Sequence, residues 1–182
     1  MFTFTQEQER WLSSCSELHA MQLAETGTTA ERVVLARVRS EYQILADLVH
    51  DDCDAVRQQV AENQAISSDL IDCLVEDGEV AVRASLAHNP AVLARHMAVL
   101  AGDRSWEVRR AAAFWGPPMV VTALSKDSMD LVRWAAAWNP LLPTVDRERL
   151  AQTDPEEAVR RAAITAMEHE LRAQEREAQT ES

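Results

Sequence analysis

Apolar residues recur along the chain at helical spacing, and after residue 50 they also recur in a longer period. In residues 5–25, Trp11, Leu12, Cys15, Leu18 and Leu23 fall on one stripe. Gly27, Thr28 and Thr29 mark a stop and a new start. Val34, Leu35, Val38, Tyr42, Leu45, Leu48 and Val49 form the next stripe. Two helices are predicted here, making residues 1–50 an N-terminal helical cap that closes the apolar end of the periodic segment after residue 50. A swapped or dimerising element is the alternative reading.

The longer period shows in the dipeptide Val-Arg, at Val56-Arg57, Val82-Arg83, Val108-Arg109, Val132-Arg133 and Val159-Arg160. The spacings are 26, 26, 24 and 27 residues. Val38-Arg39 falls off this period. Five residues before each repeat Val stands an Asp: Asp51, Asp77, Asp103, Asp127 and Asp154. Five residues after it stand Ala61, Ala87, Ala113 and Ala137, and seven after it Asn63, Asn89, Trp115 and Asn139. Pro90 and Pro140 follow two of the Asn.

Each recurring residue has a structural task. The Asp is placed to be a helix N-cap. The Asn suits the left-handed residue that ends a helix, and Pro cannot continue one. One helix of about eleven residues per repeat is predicted, about 16 Å long. A shorter second helix, α or 3₁₀, is predicted from Leu70, Ile71 and Leu74; Leu93, Met97 and Leu100; Met119, Val120 and Leu124; and Leu141, Val145 and Leu150. Helices this short bury enough surface only by stacking. Residues 51–167 are therefore about five tandem repeats, and residues 168–182 a charged tail that extends the last helix and then frays.

The consensus D-x4-V-R-x3-A-x-N-P resembles the repeat of the leucine-rich repeat variant family. The resemblance covers about residues 51–167. It implies an all-α, right-handed solenoid of alternating α and short or 3₁₀ helices. The family's founding type carries an N-terminal iron–sulfur Cys cluster. This chain departs there, because Cys15 is alone in its first fifty residues and a four-thiolate cluster needs more than its three Cys. More loosely the pattern is similar to HEAT repeats.

Composition agrees with an all-helical fold: Gly (4) and Pro (6) are scarce. Net charge is −12, which disfavours binding to a phosphate backbone and favours a basic partner. Seventeen of the eighteen basic residues are Arg. No apolar run reaches the length of a membrane span, and no signal peptide is apparent. Three Cys without a C-x-x-C pair suit a cytoplasmic protein with reduced thiols.

Candidate chemistry is sparse. The repeat Asp and Arg read as architecture, each Arg pairing with an Asp of its own or a neighbouring repeat. Cys73, Asp77, His88 and His96 are the residues from which a zinc site would have to be drawn, without ligand spacing. No catalytic residue, cofactor or metal is expected.

The informative positions are those where the repeats differ. Two and six residues after the Val, about 200° and 240° round the helix, stand Gln58 and Glu62, Ala84 and His88, Arg110 and Phe114, and Trp134 and Trp138. Trp106 and Trp115 lie beside them. Aromatic residues next to Arg are typical of binding hot spots. Trp106, Arg110, Phe114, Trp115, Trp134 and Trp138 are thus the candidate partner-binding residues. The plain alternative is that Trp134 and Trp138 fill space beside the Ala-rich helices.

The expected function is a non-catalytic protein-binding scaffold. One alternative is a nucleic-acid-binding repeat protein of the DNA glycosylase type, with Arg109, Arg110, Arg133, Arg160 and Arg161 lining a basic face. Another is a homodimer through the Trp residues.

Overall fold

The computed structural model describes residues 5–180. Among these, thirteen helices form and no strand does. They fall into two compact units, Met1–His96 and Met97–Ser182.

The first unit holds α1 (Gln6–Ser14), α2 (Glu17–Thr26), α3 (Thr29–Val38), α4 (Tyr42–Leu48), α5 (Asp54–Glu62), α6 (Ser68–Leu74) and α7 (Val80–Leu86). α1, α3, α5 and α7 lie side by side in one layer, and α2, α4 and α6 back them. The chain crosses into the second unit within α8 (Ala94–Ala101). There α9 (Trp106–Trp115), α11 (Asp130–Trp138) and α13 (Glu157–Thr180) form one layer, backed by α10 (Pro118–Leu124) and α12 (Thr144–Thr153). This alternation of layers is a solenoid-type repeat fold.

Four helices, rather than the two predicted, occupy residues 5–50. Ser16 accepts the N–H of His19 and starts a new helix, which divides the Trp11–Leu23 stripe. Leu12 is buried, whereas Trp11 and Leu18 are exposed. Thr28 caps α3 through a reciprocal pair with Glu31, at the start the sequence marks.

The repeat Val and Ala residues form the core. Val56, Val82, Val108, Val132 and Val159 are buried, as are Ala61, Ala87, Ala113 and Ala137. The second helix of each repeat is a short α-helix. Its apolar phase differs from the predicted one: Leu93, Met119, Leu141 and Val145 are exposed, while Val121 and Leu142 are buried.

The repeat Asp is not the N-cap; it stands two residues before it. Cys53, Glu79, Ser105 and Met129 occupy the cap with extended backbone and no side-chain cap bond. The Asp carboxylate instead accepts the N–H of the residue two further on, at 2.8–3.0 Å in Asp77, Asp103, Asp127 and Asp154. Asp51 does the same to Cys53 at 2.9 Å. This offset shortens the repeat helices to 7–10 residues.

The Arg completes a ladder. Arg57 donates from Nε and Nη2 to the Asp77 carboxylate at 2.7 and 3.1 Å, and from Nη1 to the Asp51 carbonyl at 2.7 Å. Arg109 repeats this with Asp127 and the Asp103 carbonyl, and Arg133 with Asp154 and the Asp127 carbonyl. Such bidentate pairs fix both distance and orientation.

The Asn is not left-handed either. Asn63 and Asn139 end their helices with φ −72°, ψ 121° and φ −69°, ψ 121°. Each buried amide reaches back to two carbonyls at the end of the preceding repeat helix. Asn63 donates to Ala36 and Arg39, and Asn139 to Ala113 and Gly116. The Asn side chain is therefore a staple between repeats.

The same frame reaches into residues 1–50. Arg32, 25 residues before Arg57, pairs with Asp51 at 2.5 Å. Arg39, where no Asn is available, is buried and donates to the carbonyls of Leu12, Ser13 and Cys15.

Candidate interaction face

The site is built on α9 and α11, held together by the Arg109–Asp127 pair and the Asn139 staple. Ala111–Ala113 and Ala135–Ala137 are buried, and small side chains let the helices approach closely. That packing leaves the opposite face of each helix outward. On α5 this face is polar, and Gln58 simply donates to Glu62 at 3.0 Å. On α9 and α11 it carries aromatic residues.

On α9 the guanidinium of exposed Arg110 lies 5.8 Å from the centre of the Trp106 ring, a cation–π distance. Phe114 and Trp115 meet edge to face at 5.1 Å, and are 37% and 54% exposed. Trp115 takes the place of the staple Asn. Gly116 follows it because a Cβ there would stand 2.4 Å from the Ala112 carbonyl oxygen and 2.7 Å from Val120.

On α11, Trp134 and Trp138 meet edge to face at 6.2 Å, and Trp138 meets His169 of α13 at 6.0 Å. Both Trp are half-buried. Each therefore gives part of its surface to packing and leaves part exposed. The six candidate residues thus fall into an α9 group and an α11 group on neighbouring helices.

Sequence reasoning missed the other side of the site. Trp138, Pro140, Arg147, Ala166, His169, Glu170 and Ala173 line a cleft of about 430 Å³. Arg147 is buried, donating to the Asn139 carbonyl at 2.8 Å and to Glu170 at 2.7 Å. The indole N–H of Trp138 and the Nε–H of Arg147 are buried and donate to no acceptor among the described residues. The signal was faint: Arg147 lies outside the repeat consensus, and His169 lies in the segment read as tail. That segment continues α13 to Thr180.

The ladder Arg residues are committed elsewhere. Hydrogen bonding to Asp127 raises the Arg109 pKa, and bonding to Asp154 raises that of Arg133. Burial would raise the carboxyl groups of Asp127 and Asp154, but the bonds from Arg and from backbone N–H outweigh it and hold both below the ordinary range. Arg161 is exposed and pairs with Glu157 along its own helix.

Among the described residues no three His, Cys, Asp or Glu side chains gather to hold a metal. His96 faces Asp72, and Cys73 donates to the Asp69 carbonyl, so the residues of the conceivable zinc site are otherwise engaged. No helix among the described residues is long and apolar enough to cross a membrane.

No protein-family model matches the chain, and no curated protein matches it in sequence. Its fold is similar to a solved structure described as a leucine-rich repeat variant with a novel repetitive protein structural motif. The TM-score is 0.67 at 24% identity, over 87% of this chain and 64% of that one. The chain thus spans less than two thirds of that protein's length. The likeness agrees with the repeat resemblance and concerns the fold.

Proposed function

We propose that the protein is a non-catalytic scaffold that binds a protein partner through the aromatic face of α9 and α11 and the cleft beside it. The observation that carries this reading is the cleft itself. Half-buried Trp138 and the Arg147–Glu170 pair line it, so it offers open ring surface beside a fixed charge pair. Aromatic surface next to Arg110 supplies the apolar anchor. The excess of acidic residues favours a basic partner around that anchor, and three free thiols suit the cytoplasm.

The nucleic-acid reading loses support from the pairing of Arg109 and Arg133 with Asp, which leaves few cations for phosphate.

The test is capture of partners from native lysate by wild type, by Trp134→Ala/Trp138→Ala, and by Gln58→Ala as a control on the polar face. Partners kept by wild type and control but lost with both Trp removed are expected. An unchanged partner set in the double variant would defeat the proposal. Tight binding of random duplex DNA at low salt would favour the nucleic-acid reading instead.

A further inference from the structure

The ladder has an unfilled place on α13. Arg160 is held like its counterparts, donating from Nη1 to the carbonyls of Asp154 at 2.6 Å and Pro155 at 2.9 Å. In Arg57, Arg109 and Arg133 that anchoring presents Nε and Nη2 to the Asp of the following repeat. Among the described residues, the same edge of Arg160 meets no carboxylate.

A second departure lies one turn further along the same face. Five residues after the repeat Val, the earlier copies have Ala, and Ala113 and Ala137 are completely buried. α13 has Ile164 there, 44% exposed. Ala fits that position in α9 and α11 because the next repeat helix packs against it. α13 instead continues as one helix of 24 residues. Arg160, Ile164, Met167 and Leu171 are spaced four, three and four residues apart, which places them on one stripe. Leu171 is 60% exposed. The face that other repeat helices turn to their successor is here open, apolar in the middle and cationic at one end.

We infer that this face of α13 is a self-association surface, on which α13 of a second copy packs antiparallel. The second copy is favoured because the helix is complementary to itself in that orientation. With the two-fold axis between residues 167 and 168, Arg160 stands opposite the partner's Glu175, and Ile164 opposite the partner's Leu171. Glu175 is exposed, four residues beyond Leu171 on the same side. It supplies the carboxylate that the Arg160 fork lacks. Two-fold symmetry makes each contact twice, as a closed dimer requires. A contact of one helix per copy is small, so the dimer belongs among weak associations with micromolar dissociation constants. It is separate from the aromatic face, which lies further round the helices of this layer.

Sedimentation velocity on the full chain across micromolar concentrations tests this. Wild type is expected to dimerise. Glu175→Arg puts like charges opposite each other twice and is expected to weaken the dimer by about tenfold or more. Arg160→Glu does the same, and Arg160→Glu/Glu175→Arg together restore association. Leu171→Glu abolishes it. If Arg160→Glu loosens α13 by freeing the Asp154 and Pro155 carbonyls, which circular dichroism would reveal, the exposed positions Glu175 and Leu171 still decide. A monomeric wild type overturns the proposal, as does a dimer indifferent to Glu175→Arg and Leu171→Glu. A dimer lost in Trp134→Ala/Trp138→Ala but kept in Leu171→Glu also overturns it and moves self-contact to the aromatic face.

Discussion

α5 and α11 are each nine residues long and are built on one frame. Val56 and Val132 anchor them, and Ala61 and Ala137 let the next helix close in. Arg57 and Arg133 grip the next Asp at 2.7 Å, and Asn63 and Asn139 staple back at nearly identical backbone angles. Their outer faces share nothing. α5 shows Gln58 and Glu62 bonded to each other, whereas α11 shows two Trp rings edge to face. The frame is therefore indifferent to what its outer positions carry. Residues that recur specify stacking, and residues that vary are free to meet a partner.

If the frame is common, breaking it should cost the same in both places. Asp77→Ala and Asp154→Ala each leave a partly buried guanidinium without its carboxylate and a backbone N–H without an acceptor. Each is expected to destabilise by about 3–5 kcal/mol, read from urea unfolding. A large loss at one position and a negligible loss at the other would show that the two repeats are not held in the same way.

The frame was legible because its residues recur in register, and recurrence averages out local accident. What each residue does was less legible. Asp two residues ahead of the cap position looks like the cap itself until the backbone shows the turn it closes. Asn at a helix end looks left-handed until its amide is seen crossing to the preceding repeat. The copy containing Arg32 was hidden because Glu31 stands where Val belongs and Val38 where Asn belongs. The candidate face was half legible. Trp134 and Trp138 stood out by breaking the pattern, whereas Arg147 and His169 come from elements with no pattern to break. Only tertiary packing brings them together.

Acid should weaken both units in one window. The Asp77, Asp127 and Asp154 carboxyls are held below the ordinary range: burial opposes this, and bonds from Arg and backbone N–H prevail. Their unfolded value is about 3.9. Between the folded and unfolded values the unfolded chain binds more protons, so stability falls as pH falls there. The ladder's contribution is complete well above pH ~4 and disappears as pH drops through the folded values. The effect per pair is smaller than for Asp→Ala, because a protonated carboxyl still accepts hydrogen bonds. Thermal unfolding should therefore be nearly flat from neutral pH to about 5 and decline below about 4. Asp77→Asn, less stable at the outset, should show a shallower decline. A midpoint unchanged down to pH ~2 would contradict the ladder's electrostatic share.

The smallest effects probe the outer faces. Gln58→Trp loses one bond to Glu62 and a little helix propensity, each worth a few tenths of a kcal/mol, so a change within about 0.5 kcal/mol is expected. Trp134→Gln removes a ring that is half-buried rather than enclosed, and should cost about 1 kcal/mol. Both are measured by the same urea titrations as the ladder variants. A loss at Trp134 approaching the ladder values would make the ring a core residue, and the aromatic face would then belong to the frame. A small loss leaves most of the Trp134 surface unaccounted for by folding. Stability and partner capture on the same Trp134 variant therefore separate a packing residue from an anchor: the first costs stability on the ladder scale as well as capture, whereas the second lowers capture for only about 1 kcal/mol of stability.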